Sequence, residues 1–180
     1  MKHTFYYDPQ KNHALRDFTN RFQTIVEQTK KDSQTMVLIC IGTDRATGDC
    51  LGPFVGHYLM QLLSSPLPII FGNLMHPVHA ANLQDTLDYI YTSISFPYVI
   101  VVDACLGNPK HVGYVTLSQN ALYPGRGVHK KLPPIGQISI TGIVDQFGSN
   151  NFQAIQNTRL HHVMQLASFI ASGISKGLEI

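Results

Sequence analysis

A chain of 180 residues, 44% hydrophobic and 13% charged, is long enough to bury one sizeable core and too poor in charge for a disordered tail. Its 13 Lys+Arg against 11 Asp+Glu leave a formal charge of +2, so it lacks the basic footprint that nucleic-acid binding needs, and no nucleic-acid partner is expected. The longest uninterrupted apolar run, residues 36–41, falls far short of the roughly 20 residues of a membrane-spanning helix, so no membrane partner is expected either. In chain order, the first segment carries Asp8-Pro9 where a signal peptide would be continuously apolar, which predicts a cytoplasmic protein. Leu15, Phe18, Phe22, Ile25 and Val26 recur at steps of three and four and predict a helix over 14–30. Residues 36–42 read as a buried strand, 43–50 as a polar loop, and Leu51, Val55, Tyr58, Leu59, Leu62 and Leu63 as the next helix. A short strand at 67–72 precedes a helix beginning near 77–80 and marked by Leu83, Leu87, Ile90 and Ile94. A third strand at 98–102 ends at Asp103. Strands at 112–117 and 137–141 flank a Gly/Pro/basic loop at 123–134, and Leu160 to Ile174 repeat as a closing helix.

Apolar strands without alternation, separated by helices, are what a parallel sheet covered on both faces requires. The expected fold is therefore α/β, a three-layer α/β/α sandwich with a mainly parallel sheet. It is expected to form one domain over 1–180, with an α/β core at about 36–176 behind the first helix. Cys40, Cys50 and Cys105 are odd in number and lack Cys-x-x-Cys spacing, which fits a reducing compartment and excludes a disulfide framework.

Ligands of open parallel sheets bind outside the carboxyl ends of the strands. Asp103 sits at one predicted strand end, and the loop of Gly42, Thr43, Asp44, Arg45, Ala46, Thr47, Gly48 and Asp49 leaves another. If those strands are neighbours, about 4.8 Å apart, Asp49 and Asp103 converge, and two carboxylates can share a proton, activate water or ligate a divalent metal. The competing reading of Asp49 or Asp44 is a helix N-cap. Asp44 and Arg45 are expected to line the same mouth, and His79 to orient a carboxylate or substrate from the first turn of its helix. Cys50 and Cys105 have acids as near neighbours, which disfavours a thiolate nucleophile. His161 and His162 diverge by about 100° on one helix and are poorly placed to share a metal.

The stretches Ile41-Gly-Thr-Asp-Arg-Ala-Thr-Gly-Asp-Cys-Leu-Gly-Pro53, Pro77-Val-His-Ala80, Val102-Asp-Ala-Cys-Leu-Gly107, Ile138-Ser-Ile-Thr-Gly142 and Gln156-Asn-Thr-Arg-Leu160 resemble the YyaC-type sporulation proteins of Gram-positive spore formers. That group is similar to the spore germination protease, and more distantly to hydrogenase maturation endopeptidases. In both, two functional acids fall on positions matching Asp49 and Asp103. The resemblance implies a phosphorylase/hydrolase-like sandwich, a peptide or protein substrate, and a place in the sporulating cell or forespore. Aligned on Thr141-Gly142, the position where the maturation endopeptidases carry a third metal ligand, a His, is Ser139. Three readings follow: a peptidase using the Asp49 and Asp103 pair, with or without a divalent metal; a catalytically silent protein that binds a peptide or partner in the same crevice; and a small-molecule hydrolase. The 123–134 loop, with Arg126, Lys130 and Lys131, is a candidate cover or a homo-oligomer interface.

Overall fold

The computed structural model describes residues 4–66, 68–124 and 134–178. Its elements in chain order are β1 (Thr4–Tyr7), α1 (Ala14–Thr29), β2 (Thr35–Cys40), α2 (Leu51–Leu62), β3 (Ile69–Phe71), α3 (Leu83–Ser93), β4 (Pro97–Gly107), β5 (Val115–Ser118), β6 (Ile138–Gln146), α4 (Asn151–Asn157) and α5 (Leu160–Leu178). They build one six-stranded sheet in the order β1-β5-β6-β4-β2-β3. The β3-β2-β4-β6 part is parallel, while β5 and β1 add on antiparallel beyond β6. The three-layer sandwich with a mainly parallel sheet is thus the observed fold.

Alternation along the strands sorts the side chains into two apolar layers. Leu38, Cys40, Tyr98, Ile100, Val102, Ile138 and Ile140 meet α1, α2 and α5 on one face. Val37, Ile39, Val99 and Val101 meet Leu83, Leu87 and Ile90 of α3 on the other. In α1 the stripe Ala14, Phe18, Phe22 and Ile25 is buried. Phe18 stacks in parallel with Phe22 and meets Phe169 of α5 edge-on at 5.5 Å between ring centroids. Such aromatic contacts add to a large buried apolar area and fix the first helix to the last. No helix among the described residues is long and apolar enough to cross a membrane.

Three expectations are corrected. The strand expected at 98–102 runs on to Gly107, because β6 continues to offer it hydrogen-bond partners after β2 has ended at Cys40. Asp103 therefore lies within β4, at the first position no longer paired to β2, and not at the strand's end. The strands at 67–72 and 112–117 are shorter than expected, at Ile69–Phe71 and Val115–Ser118. The edge strand β1 and the seven-residue α4 were not expected at all. Most of the 123–134 loop, residues 125–133, lies outside the described residues, as does Leu67 of the second strand.

Candidate active site

The site is assembled where β2 ends between two flanking chains. Ile41 N–H donates to the Val102 carbonyl on the β4 side at 2.7 Å, and Gly42 N–H donates to the Val78 carbonyl on the other side at 2.7 Å. Ile41 also forms an isolated parallel bridge with Val78. The residues one step beyond these two anchors are Asp103 and His79. Between them the loop turns back on itself: Thr43 N–H donates to the Asp49 carbonyl at 3.2 Å, and Asp49 rides on a single 3-10 turn, Gly48–Cys50, that leads straight into α2. Close backbone approach makes this possible. Gly42 has φ +144°, and a Cβ there would lie 1.9 Å from the Asp49 carbonyl oxygen. A Cβ on Gly52, at the start of α2, would lie 2.0 Å from the Ile41 carbonyl oxygen.

The flanking groups are held as well. Asp103 Oδ1 accepts from the Ala104 N–H at 2.8 Å. His79 N–H donates to Asn82 Oδ1 at 2.8 Å, and Asn82 Nδ2 donates to the Pro77 carbonyl at 3.0 Å, which fixes the segment that carries the imidazole. His79 Nδ1 accepts from the Ala81 N–H at 3.3 Å, which orients the ring.

Electrostatics joins the three side chains. Burial pushes the Asp103 carboxyl well above the usual carboxylate range; the neighbouring Asp49 charge pushes it further, and the Ala104 N–H only partly opposes this. Burial also raises Asp49, against the opposing pull of the Thr43 N–H and of His79. Asp49 therefore ionises first, and its charge then hinders ionisation of Asp103. Asp103 keeps part of its surface open to solvent, so this is a recessed site and not a sealed one.

The linkage has a measurable sign. A group that holds its proton more tightly folded than unfolded contributes stability that is complete below the ordinary carboxylate range and is lost as pH rises through the raised value. At neutral pH Asp103 therefore costs stability. Asp103→Asn is expected to raise the midpoint of thermal unfolding at neutral pH, by about 2–4 °C if the gain is near 1 kcal/mol, with the gain fading as pH falls into the ordinary carboxylate range. Calorimetry of both proteins across that range checks it.

Residues 6–173 match the family described as Protein of unknown function (DUF1256). The chain belongs to the DUF1256 family. It is 43% identical over 166 residues to "Uncharacterized protein YyaC" of Bacillus subtilis (strain 168), an alignment covering 91% of this chain and 80% of that protein. Among solved structures, this DUF1256 protein is similar to the NiFe hydrogenase maturation protease HycI from Thermococcus kodakarensis KOD1. The TM-score is 0.54 at 14% identity, covering 89% of this chain and 99% of the other. That likeness shows a shared fold.

Of the residues expected at the site, the DUF1256 fold brings Asp49, Asp103 and His79 within electrostatic reach of one loop. The capping alternative is not realised at this loop: neither the 3-10 turn nor α2 has a side-chain cap hydrogen bond. His79 precedes its helix, which begins at Leu83 behind the Asn82 N-cap. The segment is drawn out of the helix by the bridge between Val78 and Ile41. Asp44 and Arg45 are exposed, and the Arg45 N–H donates to Thr43 Oγ1 at 3.3 Å. Among the described residues Asp44 and Arg45 form no ion pair.

The thiols are poor nucleophiles. Burial pushes Cys40 to about 12. Burial, then Asp44 and Asp49, push Cys50 to about 11. Cys105 is pushed to about 11 by burial, with Thr141 opposing and Asp103 reinforcing. For a divalent metal, Asp49 and Asp103 supply two hard oxygen ligands, but no group of three or more His, Cys, Asp or Glu among the described residues is placed to hold an ion. Ser139, at the position of the third ligand in the resemblance, is buried and in register with Val101, one strand repeat below Asp103. The donor set does not fit a resident metal. A separate cavity of about 780 Å³, lined by Tyr58, Tyr114, His162 and Phe169 among others, contains none of these residues.

Sequence reasoning missed the hydroxyl groups beside Asp103. Thr141 lies across from it in register on β6, and its Oγ1 is 2.7 Å from Thr116 Oγ1 and accepts from Cys105 Sγ at 3.3 Å. The signal was available in the alternation Ile138, Ser139, Ile140, Thr141, which turns the polar residues to the face opposite α5.

Proposed function

We propose that this DUF1256 protein is a peptidase-like hydrolase of the sporulating cell, in which Asp49 and Asp103 act as one proton-sharing pair on a peptide or protein substrate. The observation that carries the reading is the meeting of the two acids where β2 ends: the Thr43 N–H ties the Asp49 turn to that point, Asp103 follows the last residue of β4 paired to β2, and the Asp49 charge pushes Asp103 upward. A carboxylate pair with separated affinities supplies a base and an acid at the same pH. Asp49, ionised first, takes a proton from a water molecule whose oxygen attacks the peptide carbonyl carbon. Asp103 gives its proton to the amide nitrogen as the C–N bond breaks, leaving a carboxyl and an amine and consuming one water. The proton then on Asp49 returns the pair to its starting state by exchange. His79 holds the Asp49 charge in place. The sporulation setting and the kinship with the spore germination protease rest on the sequence resemblance, and the HycI-type fold is compatible with them.

Incubation of the purified chain with fluorescein-labelled casein, with fragments sequenced by mass spectrometry, tests the reading. Reproducible cut sites are expected with chelator present; intact casein overturns it. Ser139, buried and in register with Val101, stands where a third ligand would be needed and supplies none, which favours a second reading, a catalytically silent protein that binds a peptide or partner in the same crevice. Peptide binding without cleavage is its signature.

A further inference from the structure

The face of the sheet that carries Asp103 is apolar on one side of it and polar on the other. Toward β2 it bears Val37, Ile39, Val99 and Val101 under α3. Toward β6 and β5 the same alternation turns Ser139, Thr141, Thr116 and Ser118 to that face, since Ile138, Ile140, Val115 and Leu117 pack on the opposite layer. Thr141 is the cross-strand partner of both Asp103 and Thr116.

Counting protons around Thr141 assigns its hydroxyl a direction of use. The Cys105 thiol keeps its hydrogen and donates it to Thr141 Oγ1 at 3.3 Å. The bond of 2.7 Å between Thr116 Oγ1 and Thr141 Oγ1 allows either to donate. Thr116 is 8% exposed, and if it were the acceptor its own proton would need another partner in the interior, where an unmet donor costs about 1–3 kcal/mol. With Thr116 as donor, both lone-pair sites of Thr141 are filled from behind. Its single proton is left for the half-exposed face it shares with Asp103.

We propose that the Thr141 hydroxyl donates a hydrogen bond to the scissile carbonyl oxygen, making Thr141 a catalytic residue that stabilises the oxyanion formed when water attacks. The role rests on the hydrolase reading above. A donor already oriented by two partners needs no reorganisation as negative charge develops, which is where such groups are most effective. Cys105 and Thr116 are positioning residues acting through it.

The test compares wild type, Thr141→Val and Thr141→Ser on fluorescein-labelled casein, with the S–H stretching band of Cys105, isolated by difference against Cys105→Ala, as a second readout. Thr141→Val is expected to lower apparent kcat about 10²-fold with KM changed less than about twofold, and Thr141→Ser to recover most of the loss. The S–H band is expected to move to higher frequency in Thr141→Val, where the acceptor is gone, and back in Thr141→Ser. If the valine variant does not fold, Thr141→Ala is expected to show the same split. Cleavage at the wild-type rate by the valine or alanine variant, or a loss that serine does not restore, overturns the role while leaving the hydrolase reading intact. An unmoved S–H band overturns the proton assignment behind it. A wild-type protein inert toward casein overturns the reading and the role together.

Discussion

Asp49→Asn and Asp103→Asn are each expected to lower casein cleavage by about 10²–10⁴-fold, the range over which a positioned acid or base contributes to a rate. The double variant is expected to be little worse than the poorer single one, because the two carboxyls act as a unit and effects within a unit are not additive. The pH profile separates their roles. In the wild type, activity rises as Asp49 ionises and falls as Asp103 loses its proton, and both limbs are displaced upward from those of free carboxyls because burial lifts both groups. The residual activity of Asp49→Asn should lack the acid limb. Its alkaline limb should move to lower pH, since the Asp49 charge that holds Asp103 up is gone. Asp103→Asn should lack the alkaline limb. Two single variants that keep full activity and the wild-type profile would remove the pair from the mechanism altogether.

Much of this was legible in the sequence because it depends on local pattern. The apolar runs of β2 and β4 required cover on both faces, and the stripe Phe18, Phe22 and Ile25 required a helix over them. The two acids could be placed because open parallel sheets put loops at one end, and the chain offers few carboxylates to choose from. What was not legible depends on partners distant in sequence. The extension of β4 past Asp103 is decided by β6, some forty residues on, whose residues Thr141 to Gln146 pair with Asp103 to Gly107. The withdrawal of His79 from its helix is decided by the backbone of β2, which takes Val78 as a bridge partner. β1 is four residues at a sheet edge, too short for a periodic signal to stand out, and it is held by antiparallel pairing with β5. The Thr116, Thr141 and Cys105 cluster unites three strands, and no single stretch of sequence contains it.

The tightest constraint on the site is backbone to backbone, so a single methyl group should disrupt it. Gly42→Ala is expected to lower unfolding stability by about 2–6 kcal/mol, combining about 1–3 kcal/mol of backbone strain with a steric clash of similar size. The backbone at Gly42 has φ +144°, which L side chains rarely adopt, and the added Cβ would stand 1.9 Å from the Asp49 carbonyl oxygen and 3.0 Å from the Pro53 ring. Neither neighbour yields cheaply. The Asp49 carbonyl is the acceptor for Thr43 N–H, and Pro53 is locked into the first turn of α2. Relief of the clash must therefore move the Asp49 turn away from β2, and with it the carboxyl whose charge acts on Asp103. Cleavage should fall even in the fraction that remains folded. Gly148→Ala is the matched control, because nothing lies within 4 Å of a Cβ there. Urea midpoints for the two variants and the wild type, with casein rates per folded molecule, decide the matter. If Gly42→Ala unfolds at the wild-type midpoint and cleaves at the wild-type rate, the loop is not pinned as described, and the convergence of Asp49 on Asp103 loses its structural basis.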